Sequence, residues 1–204
     1  MLEFATLGAQ VLNNRSVEMA KKYNVELEVL SSLVREPGTI VREVAKMEKM
    51  LIRGVTKDTD IARISVVGMK DIPGNAFKMF SRLAQKGINI DVILQSVGRD
   101  GTKDITFTVS HEQQDDAIKA MESMKGVFDY SDLKVNNALS KISIVGAGME
   151  SNPGVAAKMF EALFDANINI RMISTSEYTE YFTIMETYSI KPDAMLMIVK
   201  YCTD

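Results

Sequence analysis

A chain of 204 residues with a net charge of -3 and a pI near 5.4 carries no basic footprint for nucleic acid, and no run of Lys and Arg supplies one. The length suffices for two compact units of modest size, and the one cysteine, Cys202, rules out an internal disulfide and fits a reducing compartment. The start, "MLEFATLGAQ", lacks the parts of a signal peptide and no stretch approaches a bilayer-spanning length, so a cytoplasmic protein without nucleic-acid or membrane partners is expected.

The first segment reads as two helical pieces and a strand. "SVEMAKKY" opens on Ser16, a good N-cap with Glu18 in the first turn, and "VELEVL" alternates Val25, Leu27 and Val29 with Glu26 and Glu28. A segment this short needs an outside partner to cover it. After "EPGTIV" a charged stretch, "REVAKMEKM", marks a boundary, and "MLIRGVTKD" reads as a lone strand closed by a polar turn.

From Ile64 a repeat takes over. "ISVVG" is an apolar strand ended by Gly68, and "KDIPG" turns the chain into a helix with Pro73 suited to a first-turn position. Ala76, Phe77, Phe80, Leu83 and Ala84 predict one apolar helical face, and Gly87 stops the helix. In "INIDVILQS", Ile88, Ile90, Val92 and Leu94 take one side of a strand, with Asn89, Asp91 and Gln95 on the other. A hairpin through "GRDGTKD" leads to "ITFTVS". A second helix with Ala117, Ile118, Met121 and Met124 on one stripe follows, and "FDYSDLKV" supplies a last strand. This βαββαβ order is the ferredoxin-like plan of an α+β fold, two helices on one face of an antiparallel sheet.

The plan then begins again. "PGNAFKMFSRLAQKGINI" from Pro73 and "PGVAAKMFEALFDANINI" from Pro153 agree at about half their positions, so a whole domain is repeated. The second helix face is expected at Ala156, Ala157, Phe160, Leu163 and Phe164. The chain ends near "DAMLMIVKYC", leaving no residues for a fourth strand in the second copy. Because an unpaired edge is a liability, the strand around Met50 to Val55 is expected to fill that place.

The repeated turn is the candidate for chemistry. A helix N-terminus carries unpaired N–H groups and about half a positive charge, which hold an anion unless a side chain caps them. Asn152 precedes the proline of the second copy and is a favourable cap, whereas Ile72 of the first copy accepts nothing. An amino acid offers a carboxylate for that spot; Asp71 and backbone carbonyls of the "INI" strand would take its ammonium group, with Asn89 and Gln95 beside its side chain. The plainer reading of the same residues is a tight Pro-Gly turn and a strand-start Asn. The fourteen Met sit mostly at helical spacing and read as core filling, and His111 stands without the second His or Cys that a metal site needs. "GAGMES" has Gly146 and Gly148 but Ser151 where a dinucleotide site needs a third Gly, and no Lys-bearing phosphate loop occurs. No catalytic residue, metal or cofactor is expected.

With these residues assembled, "ISVVGMKDIPGNAFKMFSRLAQKGINIDVILQS", "DGTKDITFTV" and "ISIVGAGMESNPGVAAKMFEALFDANINIRMISTSE" closely resemble the paired ACT domains of bacterial aspartate kinase. "MLEFATLGAQVLNNRSVEMAKKYNVELEVLSS" is similar to the closing helices and strand of that enzyme's amino-acid-kinase domain. The resemblance implies a remnant of that domain in residues 1–47, a linker strand in 48–60 that completes the second ACT domain, and ACT domains in 61–137 and 138–204. It also implies an amino-acid effector, lysine or threonine being usual, bound where ACT domains meet across a homodimer that serves a catalytic kinase chain or domain. The effector positions carried over are Asp71, Ile72, Pro73, Gly74, Asn75, Ala76, Asn89, Ile90 and Gln95 in the first unit. Their counterparts are Met149, Ser151, Asn152, Pro153, Gly154, Val155, Asn169 and Thr175 in the second. The lysine and glycine motif with which the family holds ATP and aspartate is absent, so a regulatory subunit or fragment is implied. The alternatives are a dimerisation module without ligand and the non-catalytic end of the kinase itself. After "TSE" the chain departs from the family pattern.

Overall fold

The computed structural model describes residues 1–42, 52, 54–97, 101–146, 154–175, 181–187 and 200. Its elements are α1 (Leu2–Thr6), α2 (Asn14–Lys22), β1 (Leu27–Val29), β2 (Thr39–Val41), β3 (Gly54–Asp58), β4 (Ala62–Lys70), α3 (Asn75–Gln85) and β5 (Ile93–Val97). Then follow β6 (Thr102–Val109), α4 (Gln114–Ser123), β7 (Asp132–Asn136), β8 (Leu139–Val145), α5 (Val155–Asp165), β9 (Ile170–Thr175) and β10 (Tyr181–Thr187). Two compact units result: Met1–Asp58 with Ile142–Ile184 and Ile190–Asp204, and Thr59–Lys141 with Met185–Ser189.

In the first segment the cap of α2 is Asn13, whose Oδ1 accepts from the Arg15 N–H at 3.0 Å and the Ser16 N–H at 3.4 Å. Ser16 therefore lies inside the first turn, because an equally good capping side chain precedes it. β1 begins at Leu27 and pairs antiparallel with β2, a three-residue strand within "EPGTIV" that is too short for its pattern to announce it.

The Thr59–Lys141 unit is the ferredoxin-like α+β plan. Its sheet runs β5-β6-β4-β7, with β4 antiparallel to both β6 and β7, and β5 antiparallel to β6 at one edge. On β4 and β6, Ile64, Val66, Ile105, Phe107 and Val109 turn inward to meet Met79 and Leu83 of α3 and Ala117, Ala120 and Met121 of α4. Phe80 and Phe107 meet edge to face at 6.0 Å. The register of β4 against β6 slips between Val66 and Met69, where Gly68 holds φ 68 and its N–H donates to Asp104 Oδ1 at 2.7 Å.

Both repeat helices keep three of their five expected residues on the core, Ala76, Phe80 and Leu83 in α3 and Ala156, Phe160 and Leu163 in α5, but the fully buried row is displaced from the expected centre. In α3 the buried row is Asn75, Met79 and Leu83, while Phe77 is 75% exposed and Ala84 faces solvent. The Asn75 amide donates to Lys70 O at 3.0 Å, which draws that residue in and carries the positions four and eight residues on inward with it. In α5 the buried residues are Val155, Met159, Ala162 and Leu163, with Phe164 80% exposed and Ala157 outside. Pro73 also lies before the helix rather than in its first turn, since the cap is Gly74.

The helices end alike. The Gly87 N–H donates to Ala84 O and the Ile88 N–H to Leu83 O, and Asn167 and Ile168 repeat both bonds onto Phe164 O and Leu163 O. Gly87 at φ 71 and Asn167 at φ 54 supply the left-handed residue this stop requires.

The other unit repeats the plan with one substitution. Its sheet runs β3-β8-β10-β9, so β3 stands beside β8 in the place that β7 holds beside β4. Ile52, Ile142, Ile144, Val155, Met159, Ala162 and Leu163 form its core. Thr56 of β3 is buried and donates its hydroxyl to Leu7 O at 2.9 Å, tying the linker strand to the segment after α1. The residues of the final helix expected near "DAMLMIVKYC" lie outside those described, apart from Lys200.

Candidate functional site

The candidate turn is built by the ends of β4 and β6. Lys70 pairs in register with Thr102 and Met69 with Lys103, so the residues after Lys70 emerge beside the start of β6. There the Asp71 N–H donates to Gly101 O at 2.9 Å and the Ile72 N–H folds back to Lys70 O at 2.9 Å. Gly74, at φ 93, then starts α3 with no side chain capping it. Ile72, Pro73 and Gly74 are exposed and Ala76 is half-buried. The mouth of α3 thus faces solvent with helix-end N–H groups that no side chain satisfies.

Asn75 is 6% exposed and its amide closes the turn onto Lys70 O, so it shapes the loop from inside. Asp71 is not an open carboxylate. Lys103 Nζ lies 2.8 Å from its Oδ1, and the Lys103 side chain is almost wholly shielded while Asp71 remains largely exposed. Lys103 shares the inward parity of Ile105, Phe107 and Val109 on β6, a signal in "KDITFTV" for a buried lysine needing an acid partner. Beside them Lys70 Nζ donates to Asp129 Oδ2 at 2.9 Å. That bond raises the Lys70 ammonium above its ordinary pKa and holds the Asp129 carboxyl below its own.

The second half of the candidate set lies elsewhere. The Asp91 N–H donates to Thr108 O, and Asn89 precedes it, at the end of β6 opposite Thr102. From Thr102 to Thr108 is about 20 Å along the strand, so within the unit the "INI" segment cannot share a ligand with the Asp71 loop. The strand itself is also shorter than expected, since β5 starts only at Ile93. Asn89 is exposed and its N–H is held by Gln113 Oε1 at 3.0 Å, while Gln113 Nε2 donates to Gly87 O. Ile90 packs against the core, Asp91 receives Lys141 Nζ, and Gln95 is exposed along β5 opposite Ile105.

In the second repeat Gly154, at φ 105, starts α5 with no side chain capping it among the described residues. Met149, Ser151, Asn152 and Pro153 lie outside the described residues. Val155 is a core residue, Asn169 is exposed and Thr175 closes β9. Among the described residues no cluster of His, Cys, Asp and Glu is placed to hold a metal ion, and no helix is long and apolar enough to cross a membrane.

Comparison with known proteins follows the same outline. The ACT domain family profile matches residues 64–124 and 142–191. An aspartokinase of Bacillus sp. (strain MGA3) is 41% identical over 192 residues, covering 94% of this chain and 47% of its own length. The chain therefore spans about half the length of the curated relatives it matches. Among solved structures, the regulatory subunit of aspartate kinase from Thermus thermophilus is 33% identical with a TM-score of 0.66, covering 72% of this chain and 96% of that one. Aspartate kinase from Synechocystis is 34% identical with a TM-score of 0.67, covering 98% of this chain and 36% of its own.

Proposed function

The chain belongs to the ACT domain family, as a tandem pair similar to the regulatory portion of aspartate kinases, and we propose that it binds a free amino acid and thereby exerts feedback control on an aspartokinase activity. The observation that carries this reading is the repeated helix mouth: α3 and α5 each open on a left-handed glycine with no side-chain cap. Such an end accepts a carboxylate through backbone N–H groups and the helix dipole. Lysine and threonine are the leading effectors, and the kinase activity itself belongs to a catalytic chain or domain that works with this one in the cytoplasm.

The two parts of the site in the first unit stand at opposite ends of β5, which is an edge strand. A second chain whose edge strand ran antiparallel alongside it would bring its "INI" segment to the Asp71 loop, which supports an effector held between two ACT units of a homodimer. Residues 61–137 and 138–204 are then the two ACT domains, with 48–60 serving the second and 1–47 joining it to kinase-type structure. Binding at such a contact favours one arrangement of subunits, with coupling typically about 1–3 kcal/mol.

Thermal unfolding with threonine, lysine and methionine tests the reading. A ligand at about a hundred times its Kd stabilises by about 2.7 kcal/mol. A second reading, a module that only assembles the kinase, is favoured by Phe77 and Phe164, one large exposed aromatic on each repeat helix. It predicts dimers in sedimentation and no thermal shift with any amino acid.

A further inference from the structure

The last residue of the Thr59–Lys141 unit is a shielded cation on β8, the strand that stands between β3 and β10 in the second sheet. We propose that the ion pair of Lys141 with Asp91 ties the 88–92 segment to β8, so that loosening or fixing that segment is felt along the strand that opens the second repeat. On the regulatory reading above, an effector at Asn89 and Ile90 would act on β8 by this route, but the tie itself needs no ligand.

Lys141 is 3% exposed and its Nζ donates to Asp91 Oδ2. On β8 it shares the parity of Ser143 and Val145, the face turned away from the core residues Ile142 and Ile144. Parting a shielded ammonium from its acid returns a charge to a poorly solvated place, so such a pair holds more firmly than one between surface chains, although a half-exposed Asp91 moderates the difference. The acid is held from its own side too. The Asp91 N–H donates to Thr108 O at 3.1 Å, the Thr108 N–H to Val92 O and the Val92 N–H to Thr108 Oγ1, both at 3.0 Å. Gln113 bonds the Asn89 N–H and Gly87 O with its side-chain amide. The backbone from Gly87 to Val92 is thus pinned at successive points, and a shift at one end reaches Asp91.

The repeat holds no second copy of this tie. Aligning "ISVVG" with "ISIVG" puts Arg63 at the position of Lys141, and aligning the two "INI" runs puts Arg171 at that of Asp91. Two arginines repel, so the link is single, between the first-repeat segment and the second-repeat strand. Its effect is reciprocal, since a coupling free energy acts equally from either end.

Hydrogen exchange of the 204-residue chain tests this with a perturbation placed away from the pair. Gln113→Ala removes the two side-chain bonds on Gly87 and Asn89. Protection across 88–92 should fall by about fivefold or more, and protection in β8 should fall with it. When the pair is cut by Lys141→Met, which fills the shielded position with an apolar chain, Gln113→Ala should still loosen 88–92 but leave β8 unchanged within about twofold. Asp91→Asn cuts the pair from the other side and serves where Lys141→Met does not fold. A β8 that ignores Gln113→Ala while 88–92 loosens overturns the inference, as does a β8 that responds equally with the pair removed. So does an 88–92 segment unmoved by the loss of Gln113, which would show that it is not held as one stiff piece. None of these outcomes bears on the regulatory reading, which thermal unfolding with amino acids decides.

Discussion

Ser143 occupies the middle of β8, fully buried, and its hydroxyl has no hydrogen-bond partner among the described residues. A buried hydroxyl without a bond costs about 1–3 kcal/mol relative to one that is satisfied. Ser143→Ala removes that group while keeping the small volume the strand accommodates. It should leave urea stability unchanged or raise it by about 1 kcal/mol, and a clear loss would mean that the hydroxyl has a partner in solution. Asn75 is the opposite case, with its amide bonded to Lys70 O from a position 6% exposed. Asn75→Ala removes one of the two donors on that carbonyl, the Ile72 N–H being the other, and should cost about 1 kcal/mol by the same measurement.

The ion pair of Lys70 and Asp129 makes a pH-dependent statement. The Asp129 carboxyl lies below its ordinary pKa, so its contribution is present above the unfolded carboxylate value and is lost as pH falls through the lower folded value. The Lys70 ammonium is raised, so its contribution is present below the unfolded lysine value and is lost as pH rises through the raised one. Asp129→Asn should therefore differ from the unaltered chain across the neutral range and converge with it at strongly acid and strongly alkaline pH. Urea midpoints taken across a pH series read this directly, and a difference that persists below the folded pKa of Asp129 would exclude the pair as its source.

At the scale of elements, the two repeat helices show what the sequence makes legible and what it hides. Their existence and order are written plainly, in the Pro-Gly start and the three-and-four spacing, and so is the Gly87 stop of α3, whereas the Asn167 stop of α5 emerges only from its positive φ. Which side faces the sheet is not, because Phe77 and Phe164 outweigh Met79 and Met159 in any tally of apolarity, yet the Met residues are 0% exposed and the Phe residues lie outside. In α3 the turn decides it, through Asn75 and Lys70 O, and a contact between a side chain and a carbonyl five residues away leaves no periodic trace. Site residues follow the same division. Asp71 and Gly74 were readable as parts of a turn, whereas the separation of Asn89 from that turn required the register of β5 against β6. Met79→Ala should cost about 2–5 kcal/mol in urea, while Phe77→Ala should fall within about 0.5 kcal/mol for the isolated chain. The reverse order would restore the helix face centred on phenylalanine.

At the scale of the whole molecule, the order of segments in the chain is not the order of units in space. β3 precedes the first repeat yet borders β8, the strand that opens the second. Every residue of β8 is buried, so removing the strand beside it uncovers a row of backbone N–H and C=O groups together with the flank of a core that includes Ile52. Among the described residues, the core of the Thr59–Lys141 unit draws on none before Ala62. A chain starting at Thr59 should therefore keep the first-repeat unit and lose the second, as a sheet deprived of its edge strand and one apolar wall no longer offsets its ordering entropy. Hydrogen exchange resolves the two outcomes by element. Protection should persist in β4 and β6 and collapse in β8 and α5, whereas protection retained across β8 would show that the second unit closes its sheet without the linker strand.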